Sequence, residues 1–224
     1  MILLGTMING IAIVAGGVLG MLVGKLLPER LRSSLMSALA LVVIGIAVPG
    51  LMKDVNSLVP ILSMVVGTII GELLDIETAM NRLGEMLQRR FSGAPITEGF
   101  VTGSLVFAVG AMAVMGALES GLQHQHSLLI SKAAIDGVAS VVFASTLGLG
   151  VALSGVTVFV VEGSIALLAS LVAPYLGEMV INEITFVGSL LIMGISLNLL
   201  GATKLRILNM VPAILLPIFL CQFI

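Results

Sequence analysis

The chain has 224 residues, 58% of them hydrophobic and only 10% charged, with a formal net charge of −2. An average soluble domain carries about 25% charged residues, so this composition excludes an ordinary soluble domain and points to an integral membrane protein. The slightly acidic balance excludes a basic nucleic-acid footprint, and a lone cysteine, Cys221, excludes an intrachain disulfide.

The first apolar segment, Ile2–Leu26, has no Lys or Arg before it and runs past twenty residues. A signal peptide would have a basic start and a shorter core, so a retained first span is expected. Gly16, Gly20 and Gly24 fall on one face, a small-residue stripe of the kind that lets helices approach closely in lipid. It fits packing inside the bundle or a homodimer seam. Asn9 lies in the same span, as interhelical glue or as a ligand.

A loop with Lys25, Pro28, Glu29, Arg30 and Arg32 precedes span two, Ser34–Met52, where Pro49-Gly50 is expected to end or kink the helix. Span three is Leu58–Leu74. In Asp75–Phe91 the pattern changes: Ile76, Met80, Leu83, Leu87 and Phe91 recur at helical spacing among charged and amide residues. This predicts an amphipathic helix lying at the membrane interface or docked on the bundle, ended by Ser92-Gly93-Ala94-Pro95.

Span four is Phe100–Leu118. His124 and His126 follow, with Glu119 nearby, but no third ligand spacing accompanies them and no metal site is assigned. Span five, Ser127–Ser154, is 28 residues long against the ~20 that a crossing needs. Thr146-Leu147-Gly148-Leu149-Gly150 is where it would unwind. Span six is Val156–Leu176 with Glu162 inside, span seven Ile184–Gly201 with Asn198, and span eight Leu208–Ile224 with Pro212 and Pro217. The expected fold is an all-α, glycine-rich bundle of seven to eight transmembrane helices forming one integral membrane domain over residues 1–224, with residues 75–91 as the interfacial helix.

With the N-terminus outside, eight of the ten Lys and Arg residues fall in cytoplasmic loops: Lys25, Arg30, Arg32, Arg82, Arg89, Arg90, Lys204 and Arg206. That satisfies the positive-inside rule and puts both termini outside. Short matches also link spans three to five with spans six to eight. Val65–Ile69 matches Val160–Ile165, Glu98-x4-Gly103-Ser104-Leu105 matches Glu183-x4-Gly188-Ser189-Leu190, and Ser131-Lys132-x2-Ile135 matches Thr203-Lys204-x2-Ile207. An offset of three spans would make this an inverted repeat, a hallmark of secondary transporters.

Lys132 and Asp136 are the strongest functional lead. Four residues apart, they share a helix face, and Ser140 continues it. Asp136 falls about 13 Å from Ser127 at ~1.5 Å per residue, close to the middle of a ~30 Å hydrocarbon core. A charge there costs roughly 2.5–3.5 kcal/mol on insertion scales, so such residues face a partner, a cavity or a path. Glu162 is the second candidate, one-third of the way in from the cytoplasmic end of its span. The candidate ion- or substrate-binding residues are therefore Asp136, Lys132, Ser140, Glu162 and Asn198. No nucleophile–base pair, phosphate-binding glycine loop or cofactor motif is present, and no enzymatic activity is expected.

Phe100–Leu105, Val109-Gly110-Ala111-Met112-Ala113, Ile135-Asp136-Gly137, Ala144–Gly148 and Leu197-Asn198-Leu199-Leu200 resemble the bacterial inner-membrane family that includes YqgA and YdfK. So do the opening Leu4-Gly5-Thr6 and Asn9-Gly10 and the closing Asn209-x2-Pro212-Ala213. The resemblance covers essentially the whole chain. It implies a multi-pass protein of the bacterial plasma membrane and brings no substrate or site residue with it. Two functional readings follow from the residues. One is a small secondary transporter or channel for an ion or small polar solute, with the Asp136 carboxylate in its path. The other is a non-transporting sensor, assembly factor or partner subunit that docks through residues 75–91.

Overall fold

The computed structural model describes residues 1–88 and 96–223. The described residues form helices and turns with no strand. The helices are α1 Leu4–Gly24, α2 Glu29–Leu51, α3 Leu58–Leu74, α4 Ile76–Gln88, α5 Ile96–Ala108, α6 Ala111–Gln123, α7 Ser127–Leu147, α8 Leu149–Leu167, α9 Ala169–Val172, α10 Glu178–Leu199, α11 Ile207–Met210 and α12 Pro217–Leu220. The chain is a polytopic membrane helix bundle. Among the described residues five helices are long and apolar enough to cross a membrane, or up to seven if each bent pair counts as one span. Leu41, Ile61, Val65, Val138 and Val160 stay more than half exposed, as suits an outer surface solvated by lipid tails.

Residue chemistry explains where the helices break. The long Ser127–Ser154 run stops at Leu147 because Gly148 takes φ 72°, a conformation nearly free for glycine and costly for other residues. The expected span four is two helices bent by 61° across Val109-Gly110. Asp75, in the left-handed region at φ 46°, turns α4 by 50° from α3. Pro49 is accommodated inside α2, which ends at Leu51, one residue past Pro49-Gly50. Span eight is not one regular helix: Pro212 and Pro217 remove backbone donors, and the segment is a short α-turn, a 3₁₀ stretch over Val211–Leu215 and another short α-turn. The expected end of α4 at Phe91 and its terminator at residues 92–95 lie outside the described residues.

Close approaches at glycine give the helix directions. Gly16 lies against Gly137 and Ser140, Gly20 against Val141 and Gly24 against Ser145, so α1 and α7 run parallel. The Gly16-Gly20-Gly24 stripe is thus covered by α7 of the same chain, the bundle-packing alternative. Gly99 meets Leu147 and Val151, Gly103 meets Ser154, and Gly121 meets Ala166 and Ala169, so α5 and α6 together follow α8 and α9 in parallel. The bent pair therefore advances as one crossing. α1 and α8 are antiparallel, with Gly10 on Gly155 and Phe159 and Gly17 on Ala152. So are α2 and α10, with Gly50 on Ser189 and the Ser196 hydroxyl donating to the Ala40 carbonyl at 2.5 Å. α3 is antiparallel to the C-terminal segment, with Gly67 on Ala213 and Gly71 on Asn209.

These pairings have an internal order. Exchanging α1 with α8, α2 with α10, α3 with the C-terminal segment and α5–α6 with α7 carries each pairing into another or into itself, and each exchanged pair runs in opposite directions. The reciprocity reaches single residues. A Cβ at Gly17 would lie 2.6 Å from the Ala152 Cα, and one at Gly155 would lie 2.8 Å from Val14 Cγ2; Ala152 precedes Gly155 by three residues, as Val14 precedes Gly17. Phe107 and Phe143 stack at 5.7 Å, each with a serine three residues before and an alanine after. This inverted relation joins different helices from the expected repeat of spans three to five with six to eight. That repeat would give α3 the environment of α8, yet α3 packs mainly on the C-terminal segment while α8 packs on α1 and α5. The short sequence matches therefore do not pair the helices that the fold exchanges.

Candidate buried ion site

Four helices converge on one buried charge cluster. α1 contributes Asn9, α7 contributes Lys132 and Asp136, α8 contributes Glu162, and α5 contributes the Phe107 carbonyl. Lys132 Nζ donates to Asp136 Oδ2, donates to the Phe107 carbonyl at 2.6 Å, and lies 3.5 Å from Glu162 Oε1. Asn9 Nδ2 donates to both Glu162 oxygens, at 3.0 and 3.1 Å, and the Asn9 side chain also bears on the Asp136 carboxylate. Asn9 and Glu162 are fully buried, and Lys132 and Asp136 nearly so.

The depth is set by helix register. Asn9 is five residues after the start of α1, Lys132 five after the start of α7, and Glu162 five before the end of α8. At ~1.5 Å per residue all three sit about 7.5 Å below the face where α1 begins, and Asp136 about 13.5 Å below it. Glu162 therefore occupies the opposite third of its span from the one expected. The break at Gly148 starts α8 at Leu149 rather than Val156, which shifts the carboxylate toward the far end and onto Lys132.

The α5–α6 break supplies the remaining ligand. A continuous helix would hand the Phe107 carbonyl the amide of residue 111; the bend at Val109-Gly110 leaves it free to receive the lysine. The C-terminal end of a half-helix carries partial negative charge, so the ammonium stands where the backbone dipole favours it. Broken helices that present backbone carbonyls inside a bundle are a recurrent device at transporter ion sites.

Formal charges in the cluster are one positive against two negative. One acceptor, Asn9 Oδ1, is buried with no hydrogen-bond partner. Burying an unsatisfied polar group or an unbalanced charge is costly, and this cluster carries both.

The other sequence candidates lie elsewhere. Ser140 Oγ donates to the Gly137 carbonyl at 2.8 Å and packs against Gly16, so it belongs to the α1–α7 seam and not to the charge cluster. Asn198 is at the opposite end of the bundle, where Oδ1 accepts from Thr203 and from the Leu205 amide and Nδ2 donates to the Leu205 carbonyl. It shapes the turn after α10. With Glu77, Asn81, Thr97, Glu98 and Thr102, among others, it also lines a polar cavity of about 460 Å³. A larger apolar groove, about 950 Å³, runs between α5, α8 and the C-terminal segment, and Ala108, Val109 and Gly110 form part of its wall. The cluster residues line neither cavity. His126 pairs with Ser120 at 2.8 Å, and no His, Cys, Asp and Glu group able to hold a metal occurs among the described residues. Asn9 was legible as a polar residue in an apolar span; the Phe107 carbonyl had no signal in the sequence.

The family model described as "Protein of unknown function (DUF554)" matches residues 4–222. "Uncharacterized membrane protein YdfK" of Bacillus subtilis (strain 168) is 31% identical over 217 residues, covering 95% of this chain and 93% of that protein. "Uncharacterized protein YqgA" of Escherichia coli (strain K12) is 29% identical over 220 residues, covering 95% of this chain and 94% of that one. No solved structure matches the chain significantly.

Proposed function

This membrane protein belongs to the DUF554 family, and we propose that it is a small secondary transporter or channel for an ion or small polar solute, with the Asp136–Lys132–Glu162 cluster on its path. The observation that carries the reading is a charge-unbalanced cluster, buried in an apolar bundle and seated on a helix break. Intramembrane ionisable residues are retained at a cost and commonly mark ion and substrate pathways. The inverted pairing of α1 with α8, α2 with α10 and α5–α6 with α7 supports it, because two oppositely oriented halves can exchange roles about a shared site. A sealed cluster fits an occluded intermediate between two openings. By the positive-inside rule, Lys25, Arg30, Arg82, Lys204 and Arg206 would lie at the cytoplasmic face of a bacterial plasma membrane, with both termini outside and the 460 Å³ polar cavity as the inner vestibule.

The rival reading, a non-transporting sensor or partner subunit, draws on the same sealing: the cluster could be a fixed internal ion pair. Charge movement separates the two. Purified protein in proteoliposomes on a solid-supported membrane is challenged with protons, Na⁺, K⁺ and small organic acids. The transport reading expects a solute-dependent current that disappears in a folded Asp136→Asn variant. An unchanged current in that variant would remove Asp136 from the path. Absence of both current and solute flux for every challenge would favour the partner-subunit reading.

A further inference from the structure

Charges and acceptors around Lys132 do not balance. The groups facing Asp136 are Lys132 from its own helix, Glu162 from α8, Asn9 from α1 and, through the lysine, the Phe107 carbonyl from α5. With both acids ionised the cluster carries one uncompensated negative charge in a dry interior. Asn9 is fully buried, and its Oδ1 needs a donor that nothing in the cluster provides. Reversing the Asn9 amide does not help, since it would turn the oxygen onto the Glu162 carboxylate and lose both amide donors to it. What is missing is therefore one positive charge that can also donate a hydrogen bond.

We infer that the cluster binds one exchangeable proton, held on the Asp136–Glu162 carboxylate pair, with Asn9 Oδ1 as the acceptor that recognises it. A proton on Asp136 would balance the cluster, and the Asn9 side chain that bears on this carboxylate carries the acceptor left without a partner. Sodium is the other small monovalent candidate, but it would have to gather several free oxygens. Here the Glu162 oxygens receive the Asn9 amide, the Phe107 carbonyl receives Lys132, and one Asp136 oxygen receives the same lysine. A proton needs only one free acceptor, and one is present. The proton comes from and returns to water, and no other bond changes. Resting on the transport reading, this makes the solute path a proton-coupled one with a single proton per cycle.

The test is infrared difference spectroscopy of the full-length protein in lipid nanodiscs across pH, in H₂O and D₂O, with and without Na⁺. The expected result is one protonated-carboxyl band at neutral pH that shifts in D₂O, disappears on alkalinisation and is lost or displaced in Asp136→Asn and Glu162→Gln. Asn9→Leu, which leaves every charge in place, should shift the band's frequency by removing its acceptor; this variant keeps the test usable if a carboxylate variant does not fold. Carboxylates fully ionised at neutral pH in the parent protein, or a carboxylate signal that follows Na⁺ at constant pH, would overturn the inference. The transport reading is judged separately. A carboxyl band without solute flux sinks transport and leaves the proton, and Na⁺-driven current without the band does the reverse.

Discussion

Lys132 and Arg206 are each a single cation set against two carboxylates. Lys132 meets Asp136 and Glu162, and Arg206 meets Glu72 and Asp75. The Lys132 side chain is 8% exposed and that of Arg206 is 44% exposed. At the surface, water and salt absorb the leftover negative charge, and the arginine merely ties the α3–α4 corner to the start of the C-terminal segment. In the interior only the Asn9 amide meets it, and on the proposed reading the same ratio of charges calls for a proton. Burial, more than composition, separates a candidate site from a structural clamp.

The largest effect should come from breaking the inner triad. Lys132→Met leaves two carboxylates facing each other without their cation, and removing one partner of a buried pair typically costs about 3–5 kcal/mol. Asp136→Asn instead leaves one positive and one negative charge and should melt close to the parent. Thermal unfolding in a single detergent, followed by circular dichroism, checks the contrast. If Asp136→Asn were as damaging as Lys132→Met, charge balance would not be what governs this cluster.

Second in size is the seam beside it. Gly20→Val places methyl groups against the Val141 backbone where α1 and α7 touch. Overpacking of this kind typically costs about 1–3 kcal/mol, and here it would also push apart the helices carrying Asn9 and Asp136. Gly45→Val, at a position where an added Cβ meets nothing within 4 Å, is the matched control and should leave the melting temperature nearly unchanged.

Much of this was legible in the residues themselves. Eight apolar segments, the α4 amphipathic pattern and the i,i+4 link between Lys132 and Asp136 follow from periodicity and charge. Glu162 was visible as a residue but misplaced in depth, because apolar text around Gly148 does not say on which glycine a long run will break. The Phe107 carbonyl was out of reach, since every residue has a carbonyl and only the bend at Val109-Gly110 exposes this one. Asn198 stands apart from the cluster: an asparagine near a helix end serves a turn as readily as a ligand, and here its side chain bonds Thr203 and Leu205 while lining the polar cavity at the opposite end. The helix exchange that relates the two halves is written in reciprocal contacts such as Gly17 with Ala152 and Gly155 with Val14, which no linear match displays.

The smallest effect belongs to the outer triad. Arg206→Ala removes the bonds to Glu72 and Asp75, yet all three side chains are substantially exposed, and exposed ion pairs contribute little. The loss should shrink further in 1 M salt, where the Debye length is only ~3 Å. Its pH dependence has a definite sign. Hydrogen bonding from Thr78, followed by Arg206, holds the Asp75 carboxyl below the ordinary carboxylate range despite an opposing effect of burial. A carboxyl depressed in the folded state adds stability that is present above its unfolded pKa and lost as pH falls through the folded one. The gap between parent and Arg206→Ala melting temperatures should therefore be constant at neutral pH and close on acidification below about pH 4. A gap that persisted in high salt and at low pH would mean that Arg206 acts through packing of its stem on the α3–α4 corner, and that the outer triad resembles the inner one less than its charges suggest.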